Sequence, residues 1–480
     1  MTDIVNLVAR LRAFESGRAV LAATHLQMLI REDSLIICPI AMAGEDTTLH
    51  AVAIGRIGLP PTVRVVPDPR IRDDQYEMVE WLGQQIEDYY QQCRNAGEFP
   101  QIWVPSSAAA QHLGVLADRW RFVRDNAAVK RVGELLTFAT ERYPITGQQA
   151  LMSMTGAIKA HYATGQQGGE DEHLGTLLVW LSPPANSDIH AALAVAELQV
   201  MGIKTDPSFD RDVLQPRVSQ YHQARKAAAS KRVVRSRAKD IEDSLAPIVT
   251  SIYEATQAGF TFLIGRLPPA GVLVPLADHE AAEFSNFMSQ RDLGIHLPYR
   301  DKPVGAAFKM ADREFSIQSV QAEAIFGDDL ARARARLVGD VLSGTVAEVS
   351  ATKVLRKTIH RFMVETSQSN LHIREGDVLA NLDEPQLQCR IEGVSRIGAV
   401  TKVALCIVGG MRSATIPANA MTIELGAPPP NWYRGGERKK MSARLKNRPW
   451  THNVDGTAPD NQPRSGPCPA DWLQAIEDLR

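Results

Sequence analysis

Cysteine is scarce: five residues in 480 (Cys38, Cys93, Cys389, Cys406 and Cys468), scattered and never in Cys-x-x-Cys spacing. That excludes a disulfide framework and a zinc ribbon, and it suits a reducing compartment. Long apolar runs are missing too, none approaching the roughly 18 residues a membrane span needs. The opening stretch MTDIVNLVARLRAFESGR carries charge inside its apolar part and lacks a signal-peptide core. A soluble, cytoplasmic protein without a membrane partner is expected. There is no excess of one charge: 53 Lys and Arg stand against 55 Asp and Glu, a net −2. The chain is no polycation, so affinity for nucleic acid would have to come from a local patch. Nucleotide motifs are absent. No G-x-x-x-x-G-K-[ST] occurs, and Gly55-Arg-Ile-Gly58 is half of a weak glycine pattern. No G-x-S-x-G occurs either, and Ser106-Ser107 reads as a helix cap rather than a nucleophile. A motor and a kinase are excluded, and no cofactor is expected.

What is present is ordinary for a globular chain: 44% hydrophobic and 22% charged residues. The length suggests about three domains. Apolar residues recur at helical spacing from Ile4 to Leu11, then three short strands (34–39, 49–54 and 62–66) alternate with Gly and Pro. An amphipathic helix over 73–93, a strand at 101–105 and a helix capped by Ser106 or Ser107 complete an expected N-terminal α/β domain, residues 1–124. From 125 to 336 the strand signal vanishes and helical stretches follow one another, punctuated by Pro144, Pro183-Pro184, Pro268-Pro269 and Pro298. The longest, Phe209–Gly265, invites a break near Ala227-Ala-Ala-Ser or at Pro247. At Val338 the period becomes two. Six strand-like segments then suggest a small β-barrel of the OB or SH3-like kind, residues 337–426. Beyond Gly426 the chain is rich in Pro, Gly, Asn and Arg. Residues 427–480 read as a disordered basic tail ending in a short helix, 469–479. The expected fold class is thus multidomain α+β.

The basic residues cluster. Arg217, Arg225, Lys226, Lys231, Arg232, Arg235, Arg237 and Lys239 fall in one stretch without an Asp or Glu. A helix there would be a positive rod suited to phosphates, unless it is merely a solvated face. In the tail, Arg438, Lys439 and Lys440 stand among further cations, flanked by Trp432 and Tyr433. Cations interleaved with aromatics suit single strands, because the cations track the backbone while rings stack on bases. Around one barrel hairpin lie Lys353, Arg356, Lys357, His360 and Arg361, with Arg332, Arg334 and Arg336 just before it. Charge on such a hairpin also protects an edge strand from aggregation.

An active site is harder to find. Metal-dependent cleavage needs clustered carboxylates. Glu45, Asp46, Asp73, Asp74, Glu77 and Glu80 are available, but the last four open a helix, where acids favour the dipole. His161 and His173 bracket the polar turn Gly165-Gln-Gln-Gly-Gly-Glu-Asp-Glu without ligand-like spacing. No catalytic and no metal-binding residues are assigned.

The segment Arg374-Glu-Gly-Asp-Val-Leu-Ala-Asn-Leu, with Leu387-Gln-Cys-Arg-Ile-Glu-Gly-Val and Thr401-Lys-Val-Ala-Leu, resembles the small β-barrel of Upf-like superfamily-1 helicases. The resemblance covers about 90 residues and includes no motor motif. It implies an accessory role beside a helicase or ATPase partner. The sequence-level expectation is a non-catalytic protein associated with DNA or RNA. A divergent metal-dependent nuclease in the N-terminal domain is the first alternative, and an interaction scaffold without nucleic acid the second.

Overall fold

Short apolar strands of the N-terminal part assemble one mixed sheet. The computed structural model describes residues 4–428 except 43, 46, 167–171, 186–187, 269–273, 296–302, 355–356 and 411–412. Helix α1 (Ile4–Ser16) and strand β1 (Val20–Leu21) precede β2 (Leu35–Ile40), β3 (Ala51–Arg56) and β4 (Thr62–Val65), the last three an antiparallel meander. Helix α2 (Arg72–Ala96) returns the chain to β5 (Ile102–Val104), parallel to β2. Helices α3 (Ser107–Arg121) and α4 (Ala127–Arg142) lead to β6 (Leu151–Ser153), parallel to β5. The order across the sheet is β4-β3-β2-β5-β6. Ser106 caps α3 as the sequence suggested, its Oγ accepting from Ala109 N–H.

The chain then forms α5 (Met154–His161), β7 (Tyr162–Ala163), α6 (Leu174–Leu181), α7 (Ile189–Glu197) and α8 (Pro207–Phe209). A π-helical turn, Asp210–Leu214, joins α8 to α9 (Gln215–Lys226), and α10 (Lys231–Arg266) and α11 (Val274–Asp292) follow. Alternation along β2 sends Leu35 and Ile37 to one face of the sheet and Ile36, Cys38 and Ile40 to the other. The first face packs against α2, α3, α4 and α11, and the second against α5, α6, α9 and α10. Parallel strands need cover on both faces, so these layers share one sheet.

Two sequence expectations change here. The stretch 125–336 does contain strands: β6 joins the main sheet, and β7 pairs antiparallel with β1. Within the stretch read as helical, residues 151–163 are therefore β6–α5–β7. Three fully buried strand residues show no period that distinguishes them from a buried helix. The boundary expected at 124/125 also falls inside continuous cores. Val129, Val132, Leu135 and Leu136 of α4 pack in the same cluster as Leu35, Ile102 and Val104. The break expected in Phe209–Gly265 lies at Ala227–Ser230, whereas Pro247 sits within α10 without ending it.

Helices α12 (Pro303–Gly327) and α13 (Asp329–Val338) precede the six strands read from period two. These are β8 (Val341–Val354), β9 (Lys357–Thr366), β10 (Val378–Asn381), β11 (Gln388–Ile397), β12 (Val400–Gly409) and β13 (Thr422–Gly426). All pairings are antiparallel, and the sheet closes as β10-β11-β12-β9-β8-β13 around Leu342, Val364, Cys389, Ile391, Val403 and Leu425. Val338 ends α13 rather than opening the first strand. Gly339 turns the chain at φ 92°, and a Cβ there would lie 1.9 Å from the Asn370 carbonyl oxygen, so only glycine fits. The described residues of Met1–His296 and Ser316–Pro430 belong to one compact unit, and Pro303–Phe315 falls outside it. The expected disordered tail and its terminal helix lie outside the described residues.

Candidate nucleic-acid interface

The basic stretch forms a helical hairpin. Helix α9 ends at Lys226 and α10 begins at Lys231, with Ala228 at φ 48° in the link. The central and C-terminal parts of α10 are fixed to the sheet by Val249, Ile252, Tyr253, Phe260 and Leu263. Tyr253 also donates its hydroxyl to the Arg56 carbonyl at 2.9 Å. Over its first ten residues α10 keeps only Val234, Ala238 and Asp240 half-buried and the rest exposed. Helix α9 is held at the start of α2. Asp74 accepts from Tyr221 at 3.2 Å and from Arg225 at 2.6 Å, and Asp68 pairs with His222 at 2.9 Å.

The eight cations of the stretch separate into two groups. Arg217 donates to the Asp240 carbonyl at 2.6 Å and to Ser244 Oγ, and Arg237 pairs with Asp240 at 3.3 Å. Lys239 reaches Glu242 and Asp243 at 3.2 and 3.0 Å, and Arg225 is bound to Asp74. Arg225, Arg237 and Lys239 are thus neutralised within the protein, and the half-buried Arg217 is held by a carbonyl and a hydroxyl. Lys226, Lys231, Arg232 and Arg235 are exposed and have no ion pair or side-chain hydrogen bond among the described residues. All four lie around the α9–α10 turn. Lys231 and Arg232 stand in the first turn of a 36-residue helix that has no acid there and no side-chain cap bond. The positive helix end disfavours them by roughly 0.3–1 kcal/mol each. Their placement concentrates positive potential at the turn.

The barrel cations are described only in part. Lys353 is exposed on β8, but Arg361 pairs with Glu392 at 2.8 Å. Lys357 lies on β9 opposite Val354. Arg356, together with Trp432, Tyr433, Arg438, Lys439 and Lys440, lies outside the described residues. Arg332 and Arg336 are paired with Asp383 and Glu424 at 2.9 and 2.8 Å, and Arg334 contacts Asn6.

The carboxyl ends of β5 and β6 carry a second polar cluster that residue spacing did not reveal. Glu172 accepts from Ser107 N–H at 3.2 Å and from Thr155 Oγ1 at 3.1 Å, and it pairs with Lys159. Burial raises the Glu172 carboxyl pKa, but Lys159 and these donors outweigh it and hold the group below its ordinary value. Among the described residues no group of three His, Cys, Asp or Glu side chains is placed to hold a metal ion. Asp74, one of the carboxylates of the nuclease alternative, is tied to α9.

His161 and His173 do not converge. His161 Nδ1–H donates to the Ala157 carbonyl at 2.7 Å, leaving Nε2 to accept from Gln27 N–H at 2.8 Å. His173 caps α6, accepting from Thr176 N–H at 3.3 Å and donating to the Gln199 carbonyl at 3.0 Å. Burial lowers the His161 pKa and pushes that of the fully buried His50 down to about 3, with nearby Arg70 adding to the effect. Both histidines are therefore neutral in the folded state while the unfolded chain takes up protons below about 6.5. Stability is complete above that value and falls as pH drops toward the folded pKa values. The expected slope just below pH 6.5 is about 1 kcal/mol per pH unit for His50, and His161 adds to it in the same direction. Urea midpoints measured at pH 7.5, 6.5 and 5.5 check it, and His161→Gln should flatten the profile.

No helix among the described residues is long and apolar enough to cross a membrane. Comparison with protein-family models, with curated proteins and with solved structures finds no match.

Proposed function

We propose that this chain is a non-catalytic, nucleic-acid-associated accessory protein in which the α9–α10 turn holds backbone phosphates. The supporting observation is the set of four cations, Lys226, Lys231, Arg232 and Arg235, gathered at one exposed turn with no neutralising carboxylate among the described residues. A partly neutralised helix face would be explained by solubility. Internally paired neighbours beside four unpaired cations fit a surface kept available for an external polyanion. The sequence resemblance of this segment to the small barrel of Upf-like superfamily-1 helicases is the ground for a helicase or ATPase partner, and the closed barrel there is compatible with it. The nuclease alternative is disfavoured by the commitment of Asp74 to Arg225 and Tyr221.

Fluorescence anisotropy of the full chain with labelled DNA and RNA oligonucleotides of 20–30 residues tests the reading. Micromolar binding near 50 mM salt, weakening steeply toward 200 mM, is expected. Absence of binding to every oligonucleotide at 50 mM salt leaves the interaction scaffold as the better account.

A further inference from the structure

We infer that the α9–α10 turn takes duplex rather than single-stranded nucleic acid, gripping the sugar-phosphate backbone; this rests on the function proposed above. The first observation is what the turn lacks. Proteins that hold unpaired strands add aromatic rings on which bases stack. The only Phe, Tyr or Trp between Gln215 and Asp240 is Tyr221, and it is buried, its hydroxyl on Asp74 and the Arg225 guanidinium over its ring. The segment that carries the four cations therefore offers no exposed Phe, Tyr or Trp of its own for stacking.

The second observation is charge density. Lys226 ends one helix while Lys231, Arg232 and Arg235 open the next, so four cations share a single turn. Lys231 and Arg235 are one helical turn apart, about 6 Å along the axis. A duplex presents a charge about every 1.7 Å of axis, a lone strand about every 3.4 Å. A cluster this tight meets more phosphates on a duplex and releases more counterions there. The small residues of the link, Ala227 to Ser230, leave the turn without bulk that would hold a wide helix away.

The decisive measurement compares one labelled 24-base-pair DNA duplex with its own single strand, using the full chain. The wild type should bind the duplex at least about fivefold more tightly at 100 mM salt. A variant with Lys226, Lys231, Arg232 and Arg235 all changed to Ala should lose that preference, its log-log salt slope for duplex flattening by about 0.9 per cation removed. These side chains are exposed, and a circular-dichroism melt confirms that the variant folds. A preference for the single strand, or a duplex preference that the variant retains, overturns the inference while leaving nucleic-acid binding standing. No binding of either form overturns both readings. So does binding to phosphatidylserine vesicles, lost in the variant, without binding to the duplex.

Discussion

Changing Lys231, Arg232 and Arg235 together to Glu is expected to weaken duplex binding at least about a hundredfold at 100 mM salt, without lowering the melting temperature. Three of the four unpaired cations would become repulsive, so the loss exceeds that from neutral substitution. The stability side follows from the position of the residues. Lys231 and Arg232 occupy the first turn of α10, where cations face the positive end of the helix and glutamates would be favoured. The triple variant should therefore melt at the same temperature as the wild type or slightly higher. A matched control is Arg237→Glu. Arg237 pairs with Asp240, so its reversal should cost much less affinity while removing an ion pair. Loss of binding only alongside loss of folding, or a control as damaging as the triple variant, would contradict this account. Sites that reduce stability while serving function are a common compromise.

The barrel was the most legible part of the fold because each strand buries one face. Along β12 the residues Thr401, Val403, Leu405 and Ile407 are buried while those between them are not, and such alternation survives in the sequence. The meander β2–β3–β4 was legible for another reason: its apolar runs are separated by Gly and Pro. β6 was not. It has three residues, all buried, and its partner β5 lies about fifty positions earlier. Nothing local in Leu151-Met-Ser separates a strand from the start of a helix. The layering was hidden for a related reason. Apolar faces of α4 and α10 announce that they are covered, but not that the same sheet covers them from opposite sides.

The interface was legible in composition and obscure in detail. The acid-free basic run was visible, yet which cations stay available depends on carboxylates distant in sequence or one helical turn away. Arg225 is neutralised by Asp74, 151 positions earlier, and Arg361 by Glu392 on the neighbouring part of the barrel. Glu172 illustrates the same limit. In sequence it belongs to a polar helix start, but the fold carries it to Ser107, Thr155 and Lys159.

Gln101→Leu is expected to be among the most damaging single changes in the N-terminal part, costing at least about 3 kcal/mol despite similar volume. Gln101 is completely buried at the start of β5, and its side chain uses both ends. Its Oε1 accepts from Arg31 N–H at 3.0 Å, Ser34 Oγ at 2.9 Å and Trp103 Nε1–H at 3.0 Å, and its Nε2 donates to the Leu29 carbonyl at 2.9 Å. Leucine would leave two donors and one carbonyl without that partner, while the Ser34 hydroxyl would retain its bond to the Arg31 carbonyl. A buried polar group without a partner costs about 1–3 kcal/mol. The effect should spread along the chain, because Gln101 joins the 29–34 segment to Trp103, whose ring meets Phe260 of α10 edge-on at 5.5 Å. Trp103→Phe removes one of these bonds and leaves the other three, so it should cost less than the glutamine change. The two substitutions share a hydrogen bond, and their effects should fall short of adding when combined. Chemical denaturation of the two single variants and the double variant measures this directly. A Gln101→Leu protein as stable as the wild type, or fully additive losses, would show that the side chain is not the hub of this network.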